Sequence, residues 1–539
     1  MAWRDRLKAV SALQKSGDLD AALTEAENAV LQFPSSLPLL AKRLQLLLKA
    51  RHLDEASTLA LHWREWGSLD ERTAKLVLLS LSRGGMTDEI SAFCDAHLPL
   101  PVGDPGLVCT LMDALAVADP SRAIAIAEDH RRLVGGVTAE VSSRLAELHA
   151  VVGDIDSSNA SALLAIEKDP RNLKANVRLA RNLLAAGSPK TAADYLEVAV
   201  QEAPHLAKVR VDAARALKLA GDPDRAAEHL LELGDEDIFR NRANERLLIS
   251  TLLQAGRVEE ADQRYLRMVS RQRDQQAATL AEALGRPPEP MCGLDARMTW
   301  AKAIIGAPDV ANGNLEREAA LWGYHADTTI LDWLETREDA VTELMELFVD
   351  LTPVEETLRS AIGEGAALVV SAHIGALYAG PVALELLGVE ATWLASSPNP
   401  PSAYYGKQLI STADNDRVSV GYGVRSALET GQTVVIALDG SANPAAPRVS
   451  FEGRSVTYSD FAAMLSARMG LPAVFASPVW TEDRRIDFYL SPMPTFVRGT
   501  RLQDHLEAWR NAYFVNVRKV LATRPENWRL SGGIWRDVA

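Results

Sequence analysis

The feature that most limits what this chain can fold into is a spacing. Turn-like positions recur along its first half at Gly17, Arg51, Gly85, Ala118, Gly153, Gly187, Gly221 and Gly256, each 33 to 35 residues after the last. An alanine follows five places beyond most of them, at Ala22, Ala56, Ala123, Ala192, Ala226 and Ala261. A proline stands 17 places beyond three, at Pro34, Pro170 and Pro204. Each unit reads as two amphipathic helices around a turn. The small residue lets the second helix pack closely on the first, and the proline ends it. One such pair cannot bury its own apolar face, so successive pairs must stack into a superhelix.

This spacing resembles the tetratricopeptide repeat family over roughly residues 3 to 285, although the tryptophan and tyrosine of that pattern are mostly absent. It predicts an all-α repeat domain of about eight helix pairs over residues 1–285. Repeats of this kind are binding surfaces, which implies a protein partner and places any chemistry further along the chain. At 539 residues there is room for more than one core. A net charge of −15 argues against nucleic acid as a partner. Three scattered cysteines, Cys94, Cys109 and Cys292, suggest a reducing compartment and form neither a disulfide framework nor a metal pattern. No stretch approaches the ~20 apolar residues of a membrane helix. The start, "MAWRDRLKAV", lacks the apolar core of a signal peptide. The expectation is a cytoplasmic protein needing no metal or cofactor, with peripheral contact at the inner membrane left open.

The period stops at "ALGRPPEPMCG", residues 283–293. Beyond a helical stretch, short apolar runs alternate with helical ones, which predicts an α/β domain with a mixed central sheet over residues 286–539. Strands are expected at "ALVVSAH", "ATWLAS", "VSVGY", "TVVIALDG", "PAVFASPVW" and "IDFYLSP". Helices are expected over 376–387, 404–412, 424–430, 459–469 and about 502 to 522.

Phosphate-loop, HExxH, CxxC and GxSxG signatures are missing. "GYGVRSA" looks like a dinucleotide loop, but Ser426 stands where its third glycine belongs and nothing else supports it. Of the three histidines in this half, His325 has no informative surroundings and His505 is expected to be solvated. His373 falls where a strand gives way to a helix, a common address for catalytic groups in α/β folds; a structural role there is the alternative. Asp439 ends the apolar run "VVIALDGS", and a buried carboxylate needs partners, although a turn cap would also suit it. In "TRPENWRLSGGIWR" the tryptophans and arginines form either a cationic aromatic edge or an anchored tail.

Taken in order, "HIGALY", "YGVRSALETGQTVVIALDGS", "VSFEGR", "RMGLPAVFASPVW" and "RPENW" resemble the bacterial lysophospholipid and lipid A late acyltransferase family, over about residues 291 to 536. The resemblance implies transfer of a fatty acyl group from a thioester, on acyl carrier protein or coenzyme A, to a hydroxyl of a lipid or saccharide. It makes His373 the general base, and Asp439 and Arg454 part of the site. Ser441, Arg425, Arg524 and Trp528 lie within the matching motifs as candidate substrate-binding residues. Two positions depart from the pattern. Tyr378 stands where the family has a carboxylate, and Gly440 where it has glutamine. Asp439 must then supply the charge beside His373, or the domain is a degenerate scaffold that only holds lipid or carrier. A carbohydrate-modifying enzyme using Asp439 is the remoter reading.

Overall fold

The computed structural model describes residues 2–97, 103–117, 119–234, 238, 241–308, 311, 313–363, 365–403, 408–441 and 443–538. The chain divides into two compact units, Met1–Ala216 and Leu217–Ala539.

The first unit is helical throughout its described residues, and the repeat has a clear backbone cause. Gly17, Gly85, Gly153 and Gly187 take left-handed conformations with φ between 70° and 87°, and Arg51 takes the same one at φ 62°. The turn is therefore what repeats, and glycine is its cheapest occupant. Ala118 lies outside the described residues. Ala22, Ala56, Ala123 and Ala192 are fully buried, as a close helix–helix approach requires. The helices Leu19–Gln32, Ile155–Lys168 and Pro189–Glu202 each stop two residues before a proline. The residue preceding a proline is sterically driven out of the helical region, which fixes that end. Asp18 and Asp154, each following a turn glycine, cap the next helix by accepting the N–H three residues on.

The second unit opens with two more turns of this kind, Gly221 at φ 83° and Gly256 at φ 73°, again with buried alanines at 226 and 261. The long helix Asn314–Thr336 follows. Six strands then form one sheet: β1 (Ala367–Ser371), β2 (Ala391–Ala395), β3 (Leu409–Ser411), β4 (Thr433–Ala437), β7 (Ala473–Trp480) and β8 (Ile486–Pro492). Their order is β3-β2-β4-β1-β7-β8. All neighbours run parallel except β7 and β8, so the sheet is mixed. Between β4 and β7 the chain makes a separate antiparallel hairpin, β5 (Arg448–Phe451) with β6 (Arg454–Thr457).

The centre of the sheet is buried on both faces. Leu368, Val370, Val434, Ile436 and Phe475 face a core with Trp509, Tyr513 and Val517 of the helix Leu502–Leu521. Their alternates Ala367, Val369, Val435 and Val474 face Val354, Leu358 and Leu384. That explains why these strands read as continuous apolar runs. The connection leaving β1 reaches β2 on one side, while that leaving β4 reaches β7 on the other. The two connections thus leave in opposite directions from the carboxyl ends of adjacent strands, a common address for functional groups in such sheets.

Three expectations need correction. "VSVGY" is no strand but the first part of the helix Arg417–Glu429, and "GYGVRSA" lies inside it rather than in a loop. Of the helix expected over 404–412, residues 404–407 lie outside the described residues and Leu409–Ser411 is a strand. "VSFEGR" spans the turn of the β5–β6 hairpin.

Candidate functional site

β1 and β4 pair in register, Ala367 opposite Thr433 through to Ser371 opposite Ala437. His373 and Asp439 each stand two residues past that last pair, so the pleat delivers both to the same place. His373 Nδ1 lies 2.8 Å from Asp439 Oδ1. The His373 backbone N–H also donates to both carboxylate oxygens, at 3.2 Å each, and the Ile534 N–H donates to Oδ2 at 3.1 Å. Asp439 is fully buried, whereas the His373 side chain keeps 19% of its surface exposed. Burial opposes the charge on Asp439. The neighbouring imidazole and the donated hydrogen bonds outweigh it, holding the carboxyl below its ordinary range. An ionised Asp439 makes Nδ1 the protonated nitrogen and leaves the Nε2 lone pair on the opposite edge of the ring.

Two glycines lie directly against the pair. A Cβ on Gly440 would fall 2.7 Å from His373 Cε1. One on Gly533, whose φ is 44°, would fall 2.1 Å from Asp439 Oδ2. At the position where the acyltransferase pattern has glutamine, any side chain would thus press on this imidazole and require it to shift. Thr457, ending β6, donates its hydroxyl to the Asp439 carbonyl at 2.7 Å and ties the hairpin to the site.

Tyr378 does not join the pair. Its N–H donates to Asp327 Oδ1 at 3.0 Å, and its ring lies 5.1 Å from the Arg529 guanidinium carbon. Arg529 Nε donates to Asp327 Oδ2 at 2.5 Å, and both side chains are buried. Burial works against the guanidinium charge, but the Asp327 carboxylate, with Tyr378 and Asp439 beyond it, outweighs this and raises the proton affinity of Arg529.

The other candidates are spread out. Ser441 follows the Asp439–Gly440 turn, and its hydroxyl accepts the Asn443 N–H at 3.3 Å. Arg454 is exposed at the start of β6, 5.6 Å from the Trp300 ring centroid. Arg425 is exposed on the helix Arg417–Glu429 and pairs with Glu429 at 2.7 Å. Arg524 pairs with Glu526 at 3.4 Å. Trp528 corrects its expectation: it is 1% exposed, its indole N–H donates to Leu521 O at 2.9 Å, and it offers a substrate no surface. His505 is buried rather than solvated, and burial lowers its pKa.

Sequence reasoning missed Asp327, Gly532, Gly533 and Asn527. The last has its Oδ1 on Trp480 N at 2.7 Å and its carbonyl on Gly375 N at 2.8 Å, joining the tail to β7 and to the His373 loop. Adjacent glycines between tryptophans in "WRLSGGIW" were the one available sign of a close backbone approach. Among the described residues, no group of three or more His, Cys, Asp or Glu could hold a metal, and no helix is long and apolar enough to cross a membrane.

Fold and site together define a chain with tetratricopeptide-type helical repeats and a C-terminal mixed sheet. Residues 183–237 match the tetratricopeptide repeat family. Over 304 residues the chain is 34% identical to the Vi polysaccharide export protein VexE of Salmonella typhi. That match spans 54% of this chain and 45% of VexE, so the chain accounts for less than half the length of this relative. Among solved structures, a tetratricopeptide repeat protein from Parabacteroides merdae is similar over 44% of this chain and 96% of its own, at 14% identity and a TM-score of 0.36. PilF of Pseudomonas aeruginosa is similar over 45% of this chain and 94% of its own, at 13% identity and a TM-score of 0.29.

Proposed function

We propose that the chain is an acyltransferase, moving an acyl group from a thioester on acyl carrier protein or coenzyme A to a hydroxyl. The observation carrying this reading is the pair of a partly exposed His373 and a fully buried, ionised Asp439 at the carboxyl ends of adjacent strands. Nε2 of His373 takes the acceptor's hydroxyl proton as the oxygen attacks the thioester carbonyl. The C–S bond then breaks, and the imidazolium returns the proton to the leaving thiolate. Asp439 fixes the tautomer and stabilises the imidazolium, the role the resemblance assigns to a carboxylate at Tyr378. Ser441 and Arg454 are proposed to meet the substrate beside this pair. The resemblance leaves lipid and saccharide open as acceptor; the name of the 34% identical relative favours a saccharide destined for export. Residues 286–539 carry the chemistry in this reading, and the repeats over 1–285 recruit a protein partner, since stacked repeats present extended binding surfaces.

The test is to incubate the purified protein with acyl carrier protein and coenzyme A thioesters and a saccharide or membrane extract, following acyl loss by mass spectrometry. His373→Ala and Asp439→Asn should each lower transfer by ~10²–10⁴ while the fold is kept. Transfer by wild type no faster than by His373→Ala would end the enzymatic reading and leave a binding scaffold.

A further inference from the structure

We infer that Arg529, held by Asp327, is a positioning residue for the His373–Asp439 pair, an inference that rests on the acyltransferase reading only for its kinetic consequence. Arg529 comes from the tail and Asp327 from the middle of the helix Asn314–Thr336, 202 residues apart, and they meet buried. Nothing in the proposed proton transfer uses either charge. Burying an ion pair is costly, so one kept behind a reactive histidine calls for a local reason.

The backbone supplies that reason. Arg529 and Leu530 take left-handed conformations at φ 58° and 53°, and Gly532 and Gly533 follow at 68° and 44°. Two successive non-glycine residues in this region are strained and persist only where their surroundings over-determine them. Arg529 provides the restraint. Its Nε is fixed on Asp327, its Nη1 donates to the Ser531 carbonyl, and its guanidinium lies over the Tyr378 ring. The clamped segment then places two groups. The Ile534 N–H meets Asp439 Oδ2 at 3.1 Å, and Gly532 and Gly533 lie against the imidazole, where Cβ atoms would fall 3.2 Å from His373 Cδ2 and 2.5 Å from His373 Cβ. Asp327 also takes the Tyr378 N–H, so one carboxylate fixes both the tail and the chain leaving His373. The charged and titratable groups around the pair are Asp327, Arg529, Tyr378, Tyr513 and Arg536. Tyr513 donates to the Ser371 carbonyl at 3.3 Å, and Arg536 to the Gly440 carbonyl at 3.0 Å.

The experiment uses the full chain carrying Arg529→Met, and Arg529→Met with Asp327→Asn. The double variant removes both charges while the introduced amide oxygen can still accept the Tyr378 N–H, so a folded protein is available even if the single variant strands a buried carboxylate. In ¹⁵N-histidine-labelled protein, the His373 Nδ1 proton, assigned with His373→Gln, should exchange with water at least tenfold faster in the double variant while circular dichroism is unchanged. With acyl transfer established for wild type, kcat should fall by ~10²-fold at nearly constant KM, as for a misplaced catalytic group. Wild-type exchange in a folded double variant would overturn the positioning role. Absence of transfer by wild type would overturn the acyltransferase reading and leave the exchange result standing by itself.

Discussion

Replacing Gly533 by alanine tests how tightly the tail is fitted to the buried carboxylate. The new Cβ would lie 2.1 Å from Asp439 Oδ2 and 2.5 Å from His373 Cβ. Ordinary contact begins near ~3.4 Å, so something must move by about 1.3 Å, and the Ile534 N–H bond, already 3.1 Å long, would break. Alanine at φ 44° costs about 1–2 kcal/mol in backbone strain. Losing a hydrogen bond to a charged group adds about 1.5–3 kcal/mol. Gly431→Ala is the matched control: its φ is 86° and nothing lies within 4 Å of the added Cβ, so only the strain applies. Urea unfolding followed by tryptophan fluorescence should therefore place Gly533→Ala below Gly431→Ala by roughly 1.5–3 kcal/mol. Acyl transfer should fall at least tenfold in the first variant alone. Equal midpoints for the two variants, with the His373 Nδ1 proton undisturbed, would show that the tail gives way freely and that the fit is not selective.

Tyr378→Phe keeps the ring under Arg529 and the N–H on Asp327, so transfer should stay within about threefold of wild type (less than ~0.7 kcal/mol in the barrier) in the same thioester assay; a hundredfold loss would make the phenol a participant. Asp414 offers a pH test. Burial pushes its carboxyl up to about 6, against the Asn399 N–H and the Lys218 charge. The folded state holds this proton more tightly than the unfolded chain, so Asp414 costs stability as pH rises from about 4 to 6, and the cost persists above. Asp414→Asn should match wild type near pH 4 and exceed it by about 1–3 kcal/mol at pH 8 in parallel denaturation curves, and no difference between the two pH values would contradict the assignment. A fragment beginning at residue 286 should be less stable than one beginning near residue 206. It lacks Arg242 and Arg246, which pair with Asp332 and with the 13%-exposed Glu335. Stranding such carboxylates costs about 3–5 kcal/mol when fully buried and less here. Equal melting temperatures for the two fragments would count against it.

The repeats were legible because a helix pair is a local object: its turn, its close contact and its stop all fall within one period. The central strands were legible because burial on both faces leaves an unbroken apolar run, as in "ALVVS" and "TVVIA". "VSVGY" misled because five residues cannot separate a period of two from one of 3.6. The sign that decides it stands just before, where Asp416 accepts the N–H groups of Val418 and Ser419 as a helix cap. His373 and Asp439 could be picked out singly as polar groups ending apolar runs. Their partners could not: Asp327 sits on a helix between Ala326 and Ile330 with no local mark, and its cation arrives from the far end of the chain.

The register between β1 and β4 has a consequence for how such a chain can diverge. His373 and Asp439 are 66 residues apart in sequence, yet each stands at the same two-residue offset from a pair of hydrogen-bonded strand ends. The chain from β2 through β3 and the helix Arg417–Glu429 can lengthen, shorten or be exchanged without moving either group, provided β1 and β4 still pair and the turn from Gly375 to Tyr378 keeps its bonds to Asn527 and Asp327. A single residue inserted between Ser371 and His373, or between Ala437 and Asp439, would turn that side chain to the opposite face of the sheet. The intervening excursion is therefore free to vary, while two tripeptides, "SAH" and "ALD", stay locked in length.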